Sequence, residues 1–496
     1  MALGALVPIF IWTYTEGFVK WYLIGGSIII VSGILDDLRG LGPKTKFAGQ
    51  IAAALIVIFP GMIRIQNLGM LLPDGFLLPD WISIPLTLVT IVGVTNAINL
   101  SDGLDGLAGG ISLLSFACIG YLAYIEQDFV IALLAVALAG AIFGFLRFNT
   151  YPASIFMGDT GSQFLGFSAI ILSLKLTQSE TALSPLLPLI ILGFPVLDTI
   201  AVMAQRFQEG RPLFVADKNH FHHRLMRLGL YQAESVLLIY ILQAGLVTTA
   251  FLLRFHSEWL ILIGYLVFSG MVTGAFTMAD RTGYRIKRFD LFDRIIKGRL
   301  RELREKGTII KISFHIIEFG IPCLLLLTCF LPARIPNYAS YLSMALIALI
   351  VMVWRFWRKH LGLVVRSGLY LSIPYIIYIG NMETVSWMTG RLMRFYNLSF
   401  FLFAIFIVLT VKFSRRKQGF KSTPMDFLIL FIALVVPNLP VEEIQTYRLG
   451  LMAAKIITLF FSYEVLMGEL REEFGKLTLF TILSLAIIGV KGVIGF

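Results

Sequence analysis

The chain is a succession of apolar runs broken by short polar loops. Apolar stretches recur at 18–35, 47–66, 81–98, 106–125, 129–147, 161–177, 183–205, 233–253, 257–279, 309–331, 338–356, 367–380, 396–412, 425–440, 449–467 and 477–496, with residues 2–12 as the remnant of one more. Runs of roughly 17–25 apolar residues suit helices that cross a bilayer. No period-two alternation marks barrel strands, so helices are the way to satisfy the backbone in lipid. The pattern predicts an all-α, polytopic integral membrane bundle of about 16–17 transmembrane helices.

Polar chemistry interrupts this pattern at four places. The densest is NAINLSDGLDGLAGG, where Asn96, Asn99, Asp102 and Asp105 recur every third residue at the end of the run that begins near Ile82. A helix turns about 100° per residue, so the spacing predicts one drifting face of two amides and two carboxylates. An Asp at a helix centre costs roughly 2.5–3.5 kcal/mol on insertion scales, so such a face reads first as functional. Gly103, Gly106, Gly109 and Gly110 permit close backbone approach to a ligand or a neighbouring helix. The competing reading is a polar helix–helix contact, and the two carboxylates weigh against it. EF-hand ligand spacing is absent.

The other three clusters fall in loops assigned to the same side. Asp36 and Asp37 close one span, and Lys44 and Lys46 follow within a short loop. Adjacent carboxylates raise each other's pKa unless a counter-charge or Mg²⁺ is present. In RFNTYPASIFMGDTGSQFLGF, Asp159 sits between Gly158 and Gly161 at the start of a new span, where it suits either a helix cap or a metal ligand. In DKNHFHHR, Asp217 is followed by His220, His222 and His223, three of the six histidines in the chain, beside Arg211, Lys218 and Arg224. That grouping suits recognition of an anion. It lacks the spacing and the cysteines of a zinc site.

Composition sharpens the picture. The 496 residues are 57% hydrophobic and only 14% charged, against about 25% charged in soluble domains. The net charge of +11 implies no nucleic-acid partner, because the basic residues sit in short loops and set topology. Arg39, Lys44, Lys46, Arg147, Arg206, Arg211, Lys218, Arg224 and Arg227 fall in alternate loops, whereas the opposite side of the first half offers Lys20, Arg64 and Lys175. The richer side is expected to face the cytoplasm. Cys118, Cys323 and Cys329 lie in apolar runs and read as small core residues. The segment Asp280–Gly307 carries ten Lys/Arg and divides the chain. Its helical spacing of apolar and basic residues fits either the surface of an anionic leaflet or a solvated linker. Beyond it, Glu318, Glu383, Glu442, Glu443 and Glu464 accompany apolar runs without forming a recognisable motif.

Neither a Walker phosphate loop nor a Rossmann fingerprint is present: Pro43 stands where GLGPKT would need glycine before its lysine. Carboxylates that collect Mg²⁺, basic side chains and a site at the lipid boundary together point to phosphoryl transfer between a soluble nucleotide donor and a lipid phosphate.

The motifs LDD at 35–37, NAINLSDGLDGLAGG at 96–110, FMGDTGS at 156–162 and DKNHFHHRL at 217–225 resemble those of the polyprenyl-phosphate N-acetylhexosamine-1-phosphate transferases, glycosyltransferase family 4. The resemblance spans residues 1–279. The histidine motif looks like that of members taking UDP-N-acetylglucosamine or a related UDP-hexosamine. The resemblance implies attack by a polyprenyl phosphate oxygen on the β-phosphorus of the UDP-sugar, release of UMP, and initiation of a cell-envelope glycan of the cell-wall or lipopolysaccharide kind. It implies a cofactor, Mg²⁺ with Mn²⁺ as an alternative, held near Asn99, Asp102 and Asp159. It gives Asp36, Asp37, Lys46, Asp102 and Asp105 catalytic roles, and Asn96, Asp217, His220, His222, His223 and Arg224 substrate-binding ones.

Three regions follow: a transferase membrane domain at 1–279, a basic cytoplasmic linker at 280–308, and a further transmembrane domain at 309–496. The expected setting is the plasma (inner) membrane, multi-pass, with the site facing the cytoplasm and a homodimer as one option for assembly. The family pattern places another helix and a glycine-containing loop ahead of the acidic pair. Only 35 residues precede Asp36 here, so an earlier start or a lost helix is expected. Two alternatives stand beside the enzyme: a transporter, and a non-catalytic member of the family. Acids clustered at helix ends favour the enzyme, because transporters hold them near the midplane.

Overall fold

A computed structural model of the chain describes residues 2–13, 16–73, 75–210, 219–285, 308–413, 449–470 and 475–494. Asp217, Arg211, Lys218, the apolar run at 425–440, Glu442, Glu443 and most of the basic linker lie outside the described residues. The all-α bundle expected from the sequence is what the chain forms. Among the described residues, eleven helices are long and apolar enough to cross a membrane. The one β-bridge joins Pro332 and Thr384. The chain divides into two compact units, one from the described residues up to Arg285 and one from Thr308 on.

The first unit contains α1 (Ala2–Trp12), α2 (Gly17–Arg39), α3 (Pro43–Ile58), α4 (Asp80–Leu100), α5 (Leu107–Ile125), α6 (Phe129–Asn149), α7 (Gly158–Thr177), α8 (Leu187–Ile191), α9 (Gly193–Gln208), α10 (Phe221–Arg227), α11 (Gln232–Leu252) and α12 (Glu258–Thr282). Helix α7 is its centre, packed against α2, α4 and α5 and buried over nearly its whole length. That enclosure explains why α7 tolerates Ser162, Gln163, Ser168 and Ser173: each is buried among protein rather than lipid. The Tyr22 hydroxyl, for instance, meets Ser168 Oγ at 2.9 Å. Helices α2 and α7 touch backbone to backbone at Gly33, where a Cβ would lie 2.4 Å from Thr160 Cα.

Two sequence expectations change. The run at 183–205 is broken at Leu192 into α8 and α9. Pro188 and Pro195 flank the break and can donate no backbone hydrogen bond. The freed carbonyls are satisfied by side chains. Ile191 O accepts from Gln243 Nε2 at 2.7 Å and Ser115 Oγ at 3.0 Å, and Gly193 O accepts from Tyr265 Oη at 2.8 Å. Secondly, the polar stripe is not one helical face. Helix α4 ends at Leu100, and Asp102 and Asp105 lie in a turn closed by Gly106 at φ +80°.

The second unit contains α13 (Thr308–Phe330), α14 (Asn337–Phe356), α15 (Leu361–Met382), α16 (Gly390–Phe413), α17 (Leu449–Leu470) and α18 (Gly475–Ile494), packed around Ile317, Ile350, Ile373, Leu459 and Leu485. Two of its acids are paired: Arg366 Nε lies 2.9 Å from Glu464 Oε1, and Lys476 Nζ lies 3.2 Å from Glu318 Oε1. Of the cysteines, Cys118 and Cys329 pack inside, whereas Cys323 is exposed on α13 rather than in the core.

Candidate functional site

The C-terminal end of α2, the start of α3, the end of α4, the start of α7 and the short α10 all lie at one end of the first unit. Alternating helix directions put them there. Four sequence segments separated by up to about 180 residues thereby share one site.

Lys46, in the first turn of α3, joins two of them. Its Nζ lies 2.5 Å from Asp36 Oδ2 and 2.7 Å from Asp159 Oδ2. Asp36 is 5% exposed, and its other oxygen accepts the Leu41 backbone N–H at 2.8 Å. The counter-charge that an acidic pair demands is therefore Lys46. Asp37 does something else. Its Oδ1 accepts from Asp159 N at 2.9 Å, and its Oδ2 accepts from Thr160 N at 3.2 Å and Thr160 Oγ1 at 2.6 Å. It caps α7 from another helix, satisfying donors that every helix start leaves free. Gly158, at φ +67°, leaves the room: a Cβ there would lie 2.7 Å from Asp37 Oδ2. Because Asp37 supplies the cap, the Asp159 carboxylate is turned inward to Lys46 and Asn99 instead of onto its own helix.

Asn99 donates to Asp159 Oδ1 at 3.0 Å and to Ser162 Oγ at 2.8 Å, so here its amide orients Asp159. Asp102 is half-buried on the following turn. Burial, then the charges of Asp159 and Asp105, push its carboxyl up to about 7. Asp105 accepts from Ala153 N at 3.0 Å and so ties the turn to the loop before α7. Asn149 pins the same junction, accepting from Gly106 N at 3.1 Å and donating to Ile155 O at 2.9 Å. Asn96 points below the site. Its Nδ2 donates to Gln50 Oε1 at 2.6 Å, and Gln50 Nε2 reaches Gln163 Oε1 at 3.0 Å. That amide chain is a polar helix–helix contact, and it occupies the Asn96 side chain.

The histidines lie on the far side. His220 Nδ1 is 3.0 Å from Asp198 Oδ2 on α9, and Phe221 N donates to Asp198 Oδ1 at 2.7 Å. His222 is buried, its Nε2 has no partner among the described residues, and it packs on Gly103 beside Asp102. Burial, then His223, pulls its pKa down to about 4, so the ring is neutral at pH 7. The ring centroids of His222 and His223 are 4.2 Å apart. Arg224 faces away from the carboxylates. Its Nε and Nη2 donate to Asp280 Oδ2 at 3.1 and 2.5 Å, and its guanidinium lies 5.0 Å from the Phe276 ring centroid.

The sequence reading missed Gln50, Gln163 and Asp198. Gln50 and Asp198 sit in largely apolar helical stretches, and that placement is the available signal, whereas Gln163 directly follows the GDTGS segment.

Does the donor set fit a divalent cation? Among the described residues, no three His, Cys, Asp or Glu side chains converge tightly enough to hold a metal alone. Mg²⁺ is usually held by one or two carboxylates, waters and substrate phosphates, so a complete protein cage is not required. The raised carboxyl of Asp102 beside Asp159 and Asp105 is acidic excess with no cation of its own among the described residues, since Lys46 serves Asp36 and Asp159. The residues fit.

The family model for glycosyl transferase family 4 matches residues 20–177. A probable undecaprenyl-phosphate N-acetylglucosaminyl 1-phosphate transferase of Bacillus subtilis is 39% identical over 285 residues, covering 57% of this chain and 78% of that protein. The decaprenyl-phosphate N-acetylglucosaminephosphotransferase of Mycobacterium leprae is 34% identical over 323 residues, covering 57% of this chain and 80% of that protein. The undecaprenyl-phosphate alpha-N-acetylglucosaminyl 1-phosphate transferase of Escherichia coli K12 is 31% identical over 291 residues, covering 57% and 77%.

Proposed function

The chain belongs to glycosyl transferase family 4, and on that premise we propose that it transfers N-acetylglucosamine 1-phosphate from UDP-N-acetylglucosamine to a polyprenyl phosphate, releasing UMP. The observation that carries this reading is the junction of Asp36, Lys46 and Asp159 at one end of a membrane bundle, next to a turn bearing Asp102. Such a site has carboxylates for the divalent cation that accompanies a diphosphate, at the end of a membrane bundle where a lipid head group would lie.

The acceptor phosphate needs little help to lose its proton, because the second pKa of a phosphomonoester is about 6. Asp36, already paired with Lys46, is placed to orient rather than to deprotonate. An acceptor oxygen forms the new bond to the donor's β-phosphorus as the bond to the bridging oxygen breaks, and UMP carries that oxygen away. Asp102 and Asp159, with Asn99 steering Asp159, would hold Mg²⁺, or Mn²⁺ in its place. When bound, the ion neutralises diphosphate charge. What the chain itself contributes is mainly orientation and fixed electrostatics, the terms that dominate phosphoryl transfer. The neutral His222 offers hydrogen bonding to the donor rather than positive charge.

The positive-inside pattern supports a cytoplasmic site in the plasma membrane. A transporter would use the α8–α9 break as a ligand site at membrane depth. Here the freed carbonyls are taken by Gln243, Ser115 and Tyr265, which favours the enzyme. The test is to supply membranes carrying the protein with UDP-N-acetylglucosamine and undecaprenyl phosphate. Stoichiometric UMP and an organic-extractable sugar diphospholipid are expected. Accumulation of intact UDP-sugar inside vesicles, without bond cleavage, would overturn the proposal.

A further inference from the structure

We propose that Asp198 is a positioning residue for this reaction: it fixes His220 and the start of α10, and through them seats His222 against the Asp102 turn. The inference rests on the transferase reading and adds a residue that no motif assigned.

Asp198 and His220 are 3% and 6% exposed, in the middle of an otherwise apolar stretch of α9 and at the entry to α10. A carboxylate so buried is costly unless its oxygens are hydrogen-bonded. Both are: Oδ2 faces His220 Nδ1 at 3.0 Å, and Oδ1 accepts Phe221 N at 2.7 Å. In this contact a carboxylate oxygen is the acceptor and His220 Nδ1 the donor, which leaves the ring one orientation. Carboxylate–histidine pairs of this form fix ring orientation wherever an imidazole must meet a ligand in one pose.

The consequence reaches the site by contact. The His220 and His222 rings are nearly parallel, 5° apart in plane and 5.9 Å between centroids. His222 Nε2 is buried with no partner among the described residues and lies so near Gly103 that a Cβ there would sit 2.4 Å from it. Gly103 follows Asp102 directly. On the transferase reading, a ring nitrogen with no partner among the described residues, beside the turn that bears Asp102, is a hydrogen-bonding group left for the donor. Its aim depends on a backbone entry that Asp198 holds.

The experiment compares full-length wild type, Asp198→Asn, Asp198→Glu and His220→Gln in detergent, with both substrates varied. Asp198→Asn is expected to raise KM for UDP-N-acetylglucosamine by roughly 10–100-fold, the range for residues that orient functional histidines. KM for polyprenyl phosphate should stay near wild type, and Asp198→Glu should recover part of the loss. Imidazole ¹⁵N spectra, with only six histidines to assign, should lose one Nδ1-protonated signature in both Asp198→Asn and His220→Gln. Equal damage to both substrates' KM, or an unchanged tautomer signature in Asp198→Asn, would overturn the positioning role. A wild-type protein inactive with every UDP-hexosamine would instead overturn the transferase reading, since that failure precedes any substitution.

Discussion

The Lys46 ammonium stands 2.7 Å from the Asp159 carboxylate, 113 residues further along the chain. This contact ties the acidic pair on α2 to the residue that opens α7. Asp159→Ala is therefore expected to cut UMP release by at least about 10²–10³-fold, the scale for removing one preorganised charge-stabilising group. The fold should survive, because the α7 cap comes from Asp37. Initial rates and thermal unfolding of the purified variant check both halves.

The two members of the acidic pair should respond differently to amide substitution. Asn caps a helix about as well as Asp, whereas Ala loses roughly 1 kcal/mol at such positions. Asp37→Asn should thus keep most activity and Asp37→Ala little. Asp36→Asn removes the charge that balances Lys46 and should be severe. Activity and melting temperature of the three variants decide the matter, and equal loss in Asp36→Asn and Asp37→Asn would contradict the division of roles.

The raised carboxyl of Asp102 gives a pH dependence with a definite sign. Its folded value of about 7 lies above the ordinary carboxylate range, so without a cation it favours the fold below that ordinary range, and the contribution is lost as pH rises through about 7. A divalent cation takes only the charged form. Apparent Mg²⁺ affinity should accordingly fall about tenfold per pH unit below 7. His222, at about 4, is neutral throughout that range, so His222→Gln should lower activity without moving this limb, whereas Asp102→Asn should abolish it. Mg²⁺ titrations of UMP release on either side of neutrality provide the measurement.

Gly33→Ala places a methyl carbon 2.4 Å from Thr160 Cα. Overpacking of this kind costs typically about 1–3 kcal/mol, and here it would also push α7 from α2. Lower thermal stability and reduced activity are expected together, and a neutral Gly33→Ala variant would show that the helices can part without consequence.

Much of this was legible in the sequence. Membrane runs follow from apolar length alone, and motif residues fall at run ends because loops are where charge is tolerated. Three things were not legible. The helical drift from Asn96 to Asp105 assumes a continuous helix, whereas α4 stops at Leu100 and Gly106, at φ +80°, starts a new one. Asn96 and Arg224 carry the expected chemistry, but their partners, Gln50 and Asp280, lie on other helices and turn them from the centre. Asp198 sits alone in an apolar run, and only three-dimensional proximity to His220 distinguishes it from an incidental polar residue.

The glycine-to-threonine contact between α2 and α7 has one more implication. Where two backbones meet with no side chain between them, there is no slack to absorb a bulkier residue, and any added atom parts the helices. The separation of Asp36 from Asp159 is thus inherited with the scaffold, like the span of a hinge plate.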